Sequence, residues 1–384
     1  MGVRLQGTDG VRRVVRPHDD PTIAGLTPQE AFLRHDVITA PFLELYTFCR
    51  VRQLLESGVI RPSDPVVIGW DTRDPSGGYT GAAVAGLRKA GVTVHSVGVA
   101  PTPLIPLYQR SVGAAAGFMV TASHNPSTYN GVKIFTRTGL KLLPGDDVAL
   151  SARILDTRWE EIAPLPPTGP LVDAGDDARA LFTRLHLDPA NSRIVDRTAV
   201  ANHTLVVDTA NGALSGLAAD VLRKAGFGNV IPVNDDPAQP INIRSGVADI
   251  EGLTLITPDQ FNGGGRFAGY HALETLLHEG QKAREAARRG ERVIAAAIFD
   301  GDGDRFYRVE YDPFDDVLRV LSGDESSLLQ GKALIGDAPP PAPVRQYRGE
   351  RPRRTAVGGP SRLRHHPDRR GGQMGPAHRP PLPA

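Results

Sequence analysis

Two short stretches of this 384-residue chain concentrate side chains capable of phosphate and cation chemistry. In Thr121-Ala122-Ser123-His124-Asn125-Pro126 a hydroxyl is followed directly by an imidazole, and Tyr129-Asn130-Gly131-Val132-Lys133 adds a cation soon after. A serine takes up a phosphoryl group only where neighbours handle its proton and the arriving charge, and His124 and Lys133 offer a titratable ring and an ammonium. The plainer alternative is that Ser123 and Asn125 cap a turn beside an ordinary surface histidine, because Ser, Asn and Pro are common turn formers. The second stretch is Asp300-Gly301-Asp302-Gly303-Asp304-Arg305. Three carboxylates this close repel one another, and a bound cation relieves that cost. Glycines between them let the backbone curl so that alternate carboxylates converge. Hard oxygen donors suit Mg²⁺. A calcium loop is the competitor, but its twelve-residue ligand pattern ending in Glu is missing.

Arg305, next to the acidic stretch, and Arg12, after Gly7-Thr8-Asp9-Gly10, are candidates to hold phosphoryl oxygens or to neutralise the carboxylates. Arg73, in the turn Asp71-Thr72-Arg73, is a weaker candidate of the same kind. His95, His203 and His271 lie in strand or helix patterns and read as structural. The loop Phe261-Asn262-Gly263-Gly264-Gly265-Arg266 lacks the Lys-Ser or Lys-Thr ending of a nucleotide P-loop and the spaced glycines of a dinucleotide site, so it reads as a turn.

The elements that must position these residues alternate. A helical pattern over 30–57 carries a break at Pro41, which cannot donate a backbone bond in a helix interior. The apolar run Val66-Val67-Ile68-Gly69 predicts a buried strand ending at the Asp71 turn, and the run 114–120 predicts another ending at the serine stretch. Leu205-Val206-Val207-Asp208 and the run Val293 to Phe299 repeat the pattern in a second α/β unit, the latter delivering Asp300. Strands alternating with helices predict mixed α/β domains whose ligands gather at strand carboxyl ends.

Composition is that of a soluble globular protein, with 40% hydrophobic and 23% charged residues. The net charge of +1 hides an asymmetry, because residues 338–384 contain ten Arg, eleven Pro and only Glu350 and Asp368 as acids. The body is therefore acidic, which gives no support for specific nucleic-acid binding there. Cys49 is the only cysteine, so no intrachain disulfide can form. The amino terminus carries no apolar signal segment and no run reaches transmembrane length, which predicts a cytoplasmic protein without a membrane partner.

Together the Gly7-to-Arg12 segment, the Thr121-to-Pro126 loop with Asn130-Gly131-Val132-Lys133, and the Asp300-to-Arg305 loop resemble the alpha-D-phosphohexomutase superfamily in order and approximate separation. The resemblance covers residues 1 to about 335. It implies tandem mixed-sheet α/β domains: domain I at 1–160 with the phosphoserine loop, domain II at 161–306 with the metal loop, a partial domain III at 307–337, and an Arg/Pro-rich disordered or out-of-frame tail at 338–384. The family's third domain would be incomplete and its fourth absent. The resemblance further implies that Ser123 carries phosphate and joins Asp300, Asp302 and Asp304 around Mg²⁺. Lys133, assisted by His124, would move protons, and Arg12 and Arg305 would stabilise charge. The implied reaction interconverts hexose 6-phosphate and hexose 1-phosphate through a hexose 1,6-bisphosphate, in the manner of phosphomannomutase/phosphoglucomutase. The alternatives are a phosphoglucosamine mutase and a catalytically defective phosphosugar-binding or regulatory protein.

Overall fold

The computed structural model describes residues 4–7, 9–191, 197–335, 344–348 and 351–355. In chain order the first half supplies β1 (Val11–Val15), α1 (Pro28–His35), β2 (Val37–Ile38), α2 (Ala40–Glu56), β3 (Val66–Trp70), α3 (Gly78–Lys89) and β4 (Val94–Val99). It continues with α4 (Leu104–Ser111), β5 (Ala116–Val120), β6 (Tyr129–Phe135), α5 (Pro144–Asp156), α6 (Trp159–Ile162), β7 (Leu171–Asp173) and α7 (Gly175–Leu187). Its strands form one sheet in the order β2-β1-β6-β5-β3-β4-β7. β3 runs parallel to β4 and β5, whereas β6 is antiparallel to both β5 and β1.

The second half supplies α8 (Arg197–Val200), β8 (His203–Asp208), α9 (Leu217–Lys224), β9 (Asn229–Val233), β10 (Leu255–Ile256) and α10 (His271–Lys282). α11 (Arg284–Arg288), β11 (Val293–Phe299), β12 (Phe306–Asp312) and β13 (Val317–Leu321) follow. This sheet has the order β10-β13-β12-β11-β8-β9, with β8 parallel to β9 and β11 and the other pairs antiparallel. Residues 1–327 make one compact unit. The remainder contributes the end of α12 (Gly323–Ile335) and an antiparallel pair, β14 (Val344–Arg348) with β15 (Arg351–Thr355).

Burial follows the strand period of two. Val66 and Ile68 of β3 face the core under α2 and α3, while Val67 between them faces a second core with Leu104 and Ile105 of α4. That second core also takes in Leu205 and Val207 of β8 and Leu217 of α9, so the two sheets share apolar packing. On the far face of the second sheet, α10 buries Leu273 and Leu276 against Val206, Ile294 and Ile298.

Several boundaries differ from the sequence reading. The break at Pro41 is real but contains a strand: Asp36 turns left-handed to end α1, Val37–Ile38 pairs with β1, and Thr39 caps α2 with Pro41 in its first turn. The first sheet runs past residue 160, because β7 pairs with β4 and Phe182 of α7 packs in the shared core. Residues 307–321, expected to open a third domain, instead hydrogen-bond through β12 and β13 to β11 and complete the second sheet. The Arg/Pro-rich segment, expected to be disordered or out of frame, contains the antiparallel β14–β15 pair. The rest of that segment lies outside the described residues. Among the described residues no helix is long and apolar enough to cross a membrane.

Asp208 at the end of β8 is fully buried and ties down two loops, accepting from the backbone N–H of Ala210 at 2.8 Å and of Gly246 at 3.1 Å. Burial pushes its carboxyl up to about 6. The folded chain therefore holds a proton there that the unfolded chain, with an ordinary carboxyl near 3.8, has released. This group's stabilising contribution is complete below the unfolded value and is lost as pH rises through about 6. Urea titrations of wild type and Asp208→Asn are expected to give a difference curve that slopes between those values and is flat above them.

Gly86 of α3 crosses α2 so closely that an added Cβ would lie 2.1 Å from the carbonyl oxygen of Glu44 and 2.3 Å from Thr47 Oγ1. Gly81 on the same helix has nothing within 4 Å of that position. Alanine is thus expected to act with opposite sign at the two sites. Gly86→Ala should cost about 1–3 kcal/mol through overpacking, and Gly81→Ala should stabilise by up to about 1 kcal/mol through helix propensity. Denaturation midpoints check both.

Candidate active site

The parallel strands deliver their carboxyl-terminal loops to one place. From the first sheet come Asp71–Arg73 after β3, Pro101–Thr102 after β4 and the serine loop after β5. From the second come Ala210–Asn211 after β8 and Asp300–Arg305 after β11.

Ser123 is 1% exposed and has φ +56°, a left-handed conformation uncommon for serine and costly unless the surroundings impose it. Those surroundings begin on its own domain. Thr121 Oγ1 accepts from the Ser123 N–H at 2.8 Å and donates to Asp71 Oδ2 at 2.6 Å. Arg73 stands over the loop as a buried fork: Nη2 donates to the Ser123 carbonyl at 2.7 Å and Nη1 to the Tyr129 carbonyl at 2.8 Å. Its Nε pairs with Asp71 at 2.9 Å, and both side chains are essentially inaccessible. Arg73, the weakest candidate on sequence, is therefore the scaffold of the serine loop.

The acidic loop meets this serine from the other domain. Asp300 Oδ1 accepts from the N–H groups of Asp304 at 3.1 Å and Arg305 at 3.0 Å, folding the loop back on its first residue. Asp300 Oδ2 accepts from Ser123 Oγ at 2.6 Å and from Arg305 Nε at 3.1 Å. Arg305 Nη2 donates to Ser123 Oγ at 2.8 Å and also engages His124 Nδ1. Asp302 and Asp304 each receive the Lys133 ammonium at 2.6 Å. Lys133 also lies 3.3 Å from Asp9, which pairs with Arg12 at 2.9 Å and Lys141 at 2.5 Å. Thr102 fastens the loop to the first domain, its N–H to the Asp302 carbonyl at 2.8 Å and its Oγ1 to Asp302 Oδ2 at 2.7 Å.

Electrostatics follow from this packing. Burial, reinforced by the charges of Asp302 and Asp304, raises the Asp300 carboxyl above the usual carboxylate range. Asp302 is equally buried, yet Lys133 and Thr102 hold its carboxyl below that range. Lys133 loses hydration but gains three carboxylates, and its ammonium is held more firmly than a free lysine's. Burial together with the positive charges of Arg305 and Arg12 depresses His124 to about 4, so the ring is neutral near pH 7.

The donor set fits a divalent cation. One carboxylate oxygen from each of Asp300, Asp302 and Asp304 lies within 4.8 Å of the others, and Asp302 Oδ1 is buried without a hydrogen-bond partner. Leaving such an atom unpaired costs about 1–3 kcal/mol or more for a charged group, which a cation among hard oxygens would offset.

All the sequence candidates thus meet: Ser123, His124, Lys133, Arg305 and the three aspartates directly, Arg12 through Asp9. Asp9, Asp71, Thr102 and Asn242 were not singled out. Thr102 had a readable signal, a Pro101-Thr102-Pro103 turn at a strand's carboxyl end. Of the set-aside groups, His95 packs on Tyr108 and His203 on Phe227, and His271 lies 3.8 Å from Glu274.

Residues 3–161 match the family model described as phosphoglucomutase/phosphomannomutase, alpha/beta/alpha domain I. Over that stretch the chain is similar to the first domain of this family. Among curated phosphohexomutases it is 37% identical over 246 residues to the phosphoglucosamine mutase of Rhodococcus erythropolis strain PR4, covering 63% of this chain and 48% of that protein. It is 38% identical over 277 residues to the phosphoglucosamine mutase of Pelotomaculum thermopropionicum, covering 71% of this chain and 52% of that protein. The chain spans about half the length of the curated relatives it matches. A phosphoglucomutase/phosphomannomutase family protein from Burkholderia thailandensis shares the fold at a TM-score of 0.53 and 20% identity, over 86% of this chain and 58% of that one.

Arg73→Met leaves Asp71 buried without its counter-charge and is expected to cost about 3–5 kcal/mol of stability. Arg73→Lys restores charge but not the planar fork that spans several carbonyls. It should recover part of the urea midpoint while leaving the serine loop open to hydrogen exchange. Full recovery of protection with lysine would show that charge alone holds the loop.

Proposed function

We propose that this chain carries out phosphohexomutase chemistry, an intramolecular phosphotransfer on an amino sugar phosphate, with Ser123 as the residue that carries the phosphoryl group between turns of the reaction. The observation that supports it most directly is the placing of Ser123 Oγ between Asp300 at 2.6 Å and Arg305 at 2.8 Å, a hydroxyl from one domain against a carboxylate and a guanidinium from the other. The sugar class rests on the relatives: the motifs leaned toward phosphomannomutase/phosphoglucomutase, but the curated proteins described above are phosphoglucosamine mutases. Glucosamine phosphate is therefore the preferred substrate in this reading, and hexose 1,6-bisphosphate the species that loads the serine.

In the loading step Ser123 Oγ attacks a phosphorus of the bisphosphate. The new Oγ–P bond forms as the bond to the sugar oxygen breaks, and the serine proton passes to that oxygen. Mg²⁺, held by Asp300, Asp302, Asp304 and Ser123, would neutralise charge on the phosphoryl oxygens. The chain's own groups do the positioning. Arg305 reaches the oxygen at which charge changes, and charge stabilisation of this kind is commonly the largest catalytic contribution. His124, neutral at its site, accepts from Arg305 and orients the guanidinium. Lys133 holds its proton firmly and serves as the fixed cation of the loop, with Arg12 placed through Asp9.

Incubation with glucose 1,6-bisphosphate and Mg²⁺ should add one phosphoryl mass to the wild-type chain and none to Ser123→Ala, read by intact mass. Equal labelling of the two proteins would remove Ser123 from the role. Arg305→Leu is expected to slow labelling by roughly 10²–10³-fold. In coupled assays glucosamine 6-phosphate should turn over faster than the mannose or glucose phosphates. Labelling of Ser123 with no turnover of any of them would favour a phosphosugar-binding protein instead.

A further inference from the structure

We infer that Asn242 is a positioning residue for phosphoryl transfer at Ser123, an inference that rests on the serine-phosphorylation reading above. Asn242 lies in the second domain, in the loop 240–246 between β9 and β10, and no chemical motif of the chain includes it. Its side-chain Nδ2 crosses to the first domain and donates to the carbonyl of Ser123 at 2.8 Å and to that of Asn125 at 3.0 Å.

The Ser123 carbonyl thereby has both acceptor positions filled, one by Arg73 of its own domain at 2.7 Å and one by Asn242 of the other. Asn125 is held by the same two side chains, Arg73 at 3.3 Å and Asn242 at 3.0 Å. The same amide also packs on the acidic loop: a Cβ on Gly301 would lie 2.8 and 2.9 Å from Asn242 Nδ2 and Oδ1. One side chain therefore touches the serine loop and the aspartate loop together. Its backbone N–H is anchored to the Ala210 carbonyl at 3.1 Å, on a third loop at the site.

The backbone is constrained to make this reach. Asn242 and Arg244 both have positive φ, +59° and +46°, around Ile243, which is 57% exposed. Asparagine tolerates that conformation better than most residues, but a left-handed arginine beside it is strain of the sort found where structure serves a site. Without the Asn242 amide the backbone of the serine loop would be held by Arg73 and Thr121 of its own domain and could swing away from Asp300. A misplacement near 1 Å at a reacting oxygen costs on the order of 100-fold in rate.

Two variants test this. Asn242→Gly keeps the left-handed backbone and deletes the amide; Asn242→Asp keeps the shape but sets an acceptor against two carbonyls. Ser123 phosphorylation is followed by intact mass against glucose 1,6-bisphosphate concentration in Mg²⁺, beside hydrogen–deuterium exchange. The plateau rate should fall on the order of 100-fold in both variants, with the half-saturating concentration little changed and exchange rising in peptides spanning 121–131 but not in β3. Unchanged exchange there, or an unchanged plateau rate in either folded variant, would overturn the inference. If the wild type itself takes no phosphate, the serine reading fails and takes the catalytic role with it, while the exchange data still decide whether Asn242 clamps the loop.

Discussion

The site depends on keeping three carboxylates together, two of them without access to water. Asp300 and Asp302 are fully buried, and like charges at such spacing repel strongly where hydration is lost. Everything around them answers that constraint. Lys133 enters from β6 and Arg305 from the acidic loop itself, Thr102 donates a hydroxyl, and backbone N–H groups turn inward to Asp300. Because Lys133 and Thr102 come from the first sheet, the carboxylates are tolerable only while the two sheets are docked. The apolar core shared by α4, β8 and α9 supplies that docking.

The same arrangement accounts for the buried ion pair of Asp71 and Arg73. A pair of this kind adds little net stability over an apolar substitute, yet here one guanidinium reaches the carbonyls of Ser123, Asn125, Pro126 and Tyr129. A planar fork with several donors can fix a loop that no single apolar contact could orient. The positive φ of Ser123 is the local cost, maintained by Arg73, by Thr121 and, from across the domain boundary, by Asn242.

Where the sequence reading departed from the structure, the cause is nonlocal pairing. Residues 307–321 were expected in a third domain from the family resemblance, but partner choice for β12 and β13 is made by register with β11, which no local pattern encodes. β7 is only three residues long, and its membership in the first sheet comes from its pairing with β4. The histidines set aside on sequence lie in ordinary packing, His95 on Tyr108, His203 on Phe227 and His271 near Glu274.

The sequence by itself determined which groups are available and on what kind of loop they sit. Ser123 and His124 follow an apolar strand, the three aspartates follow another, and the intervening glycines permit their convergence; those are local properties of residue type and period. Only the tertiary structure decided that the two loops face each other at 2.6 Å, that Arg73 and Thr102 lie beneath them, and that Asn242 closes the gap. Those residues are far apart along the chain. Their roles arise from hydrogen bonds to backbone carbonyls and carboxylates whose positions exist only once both sheets have folded and packed.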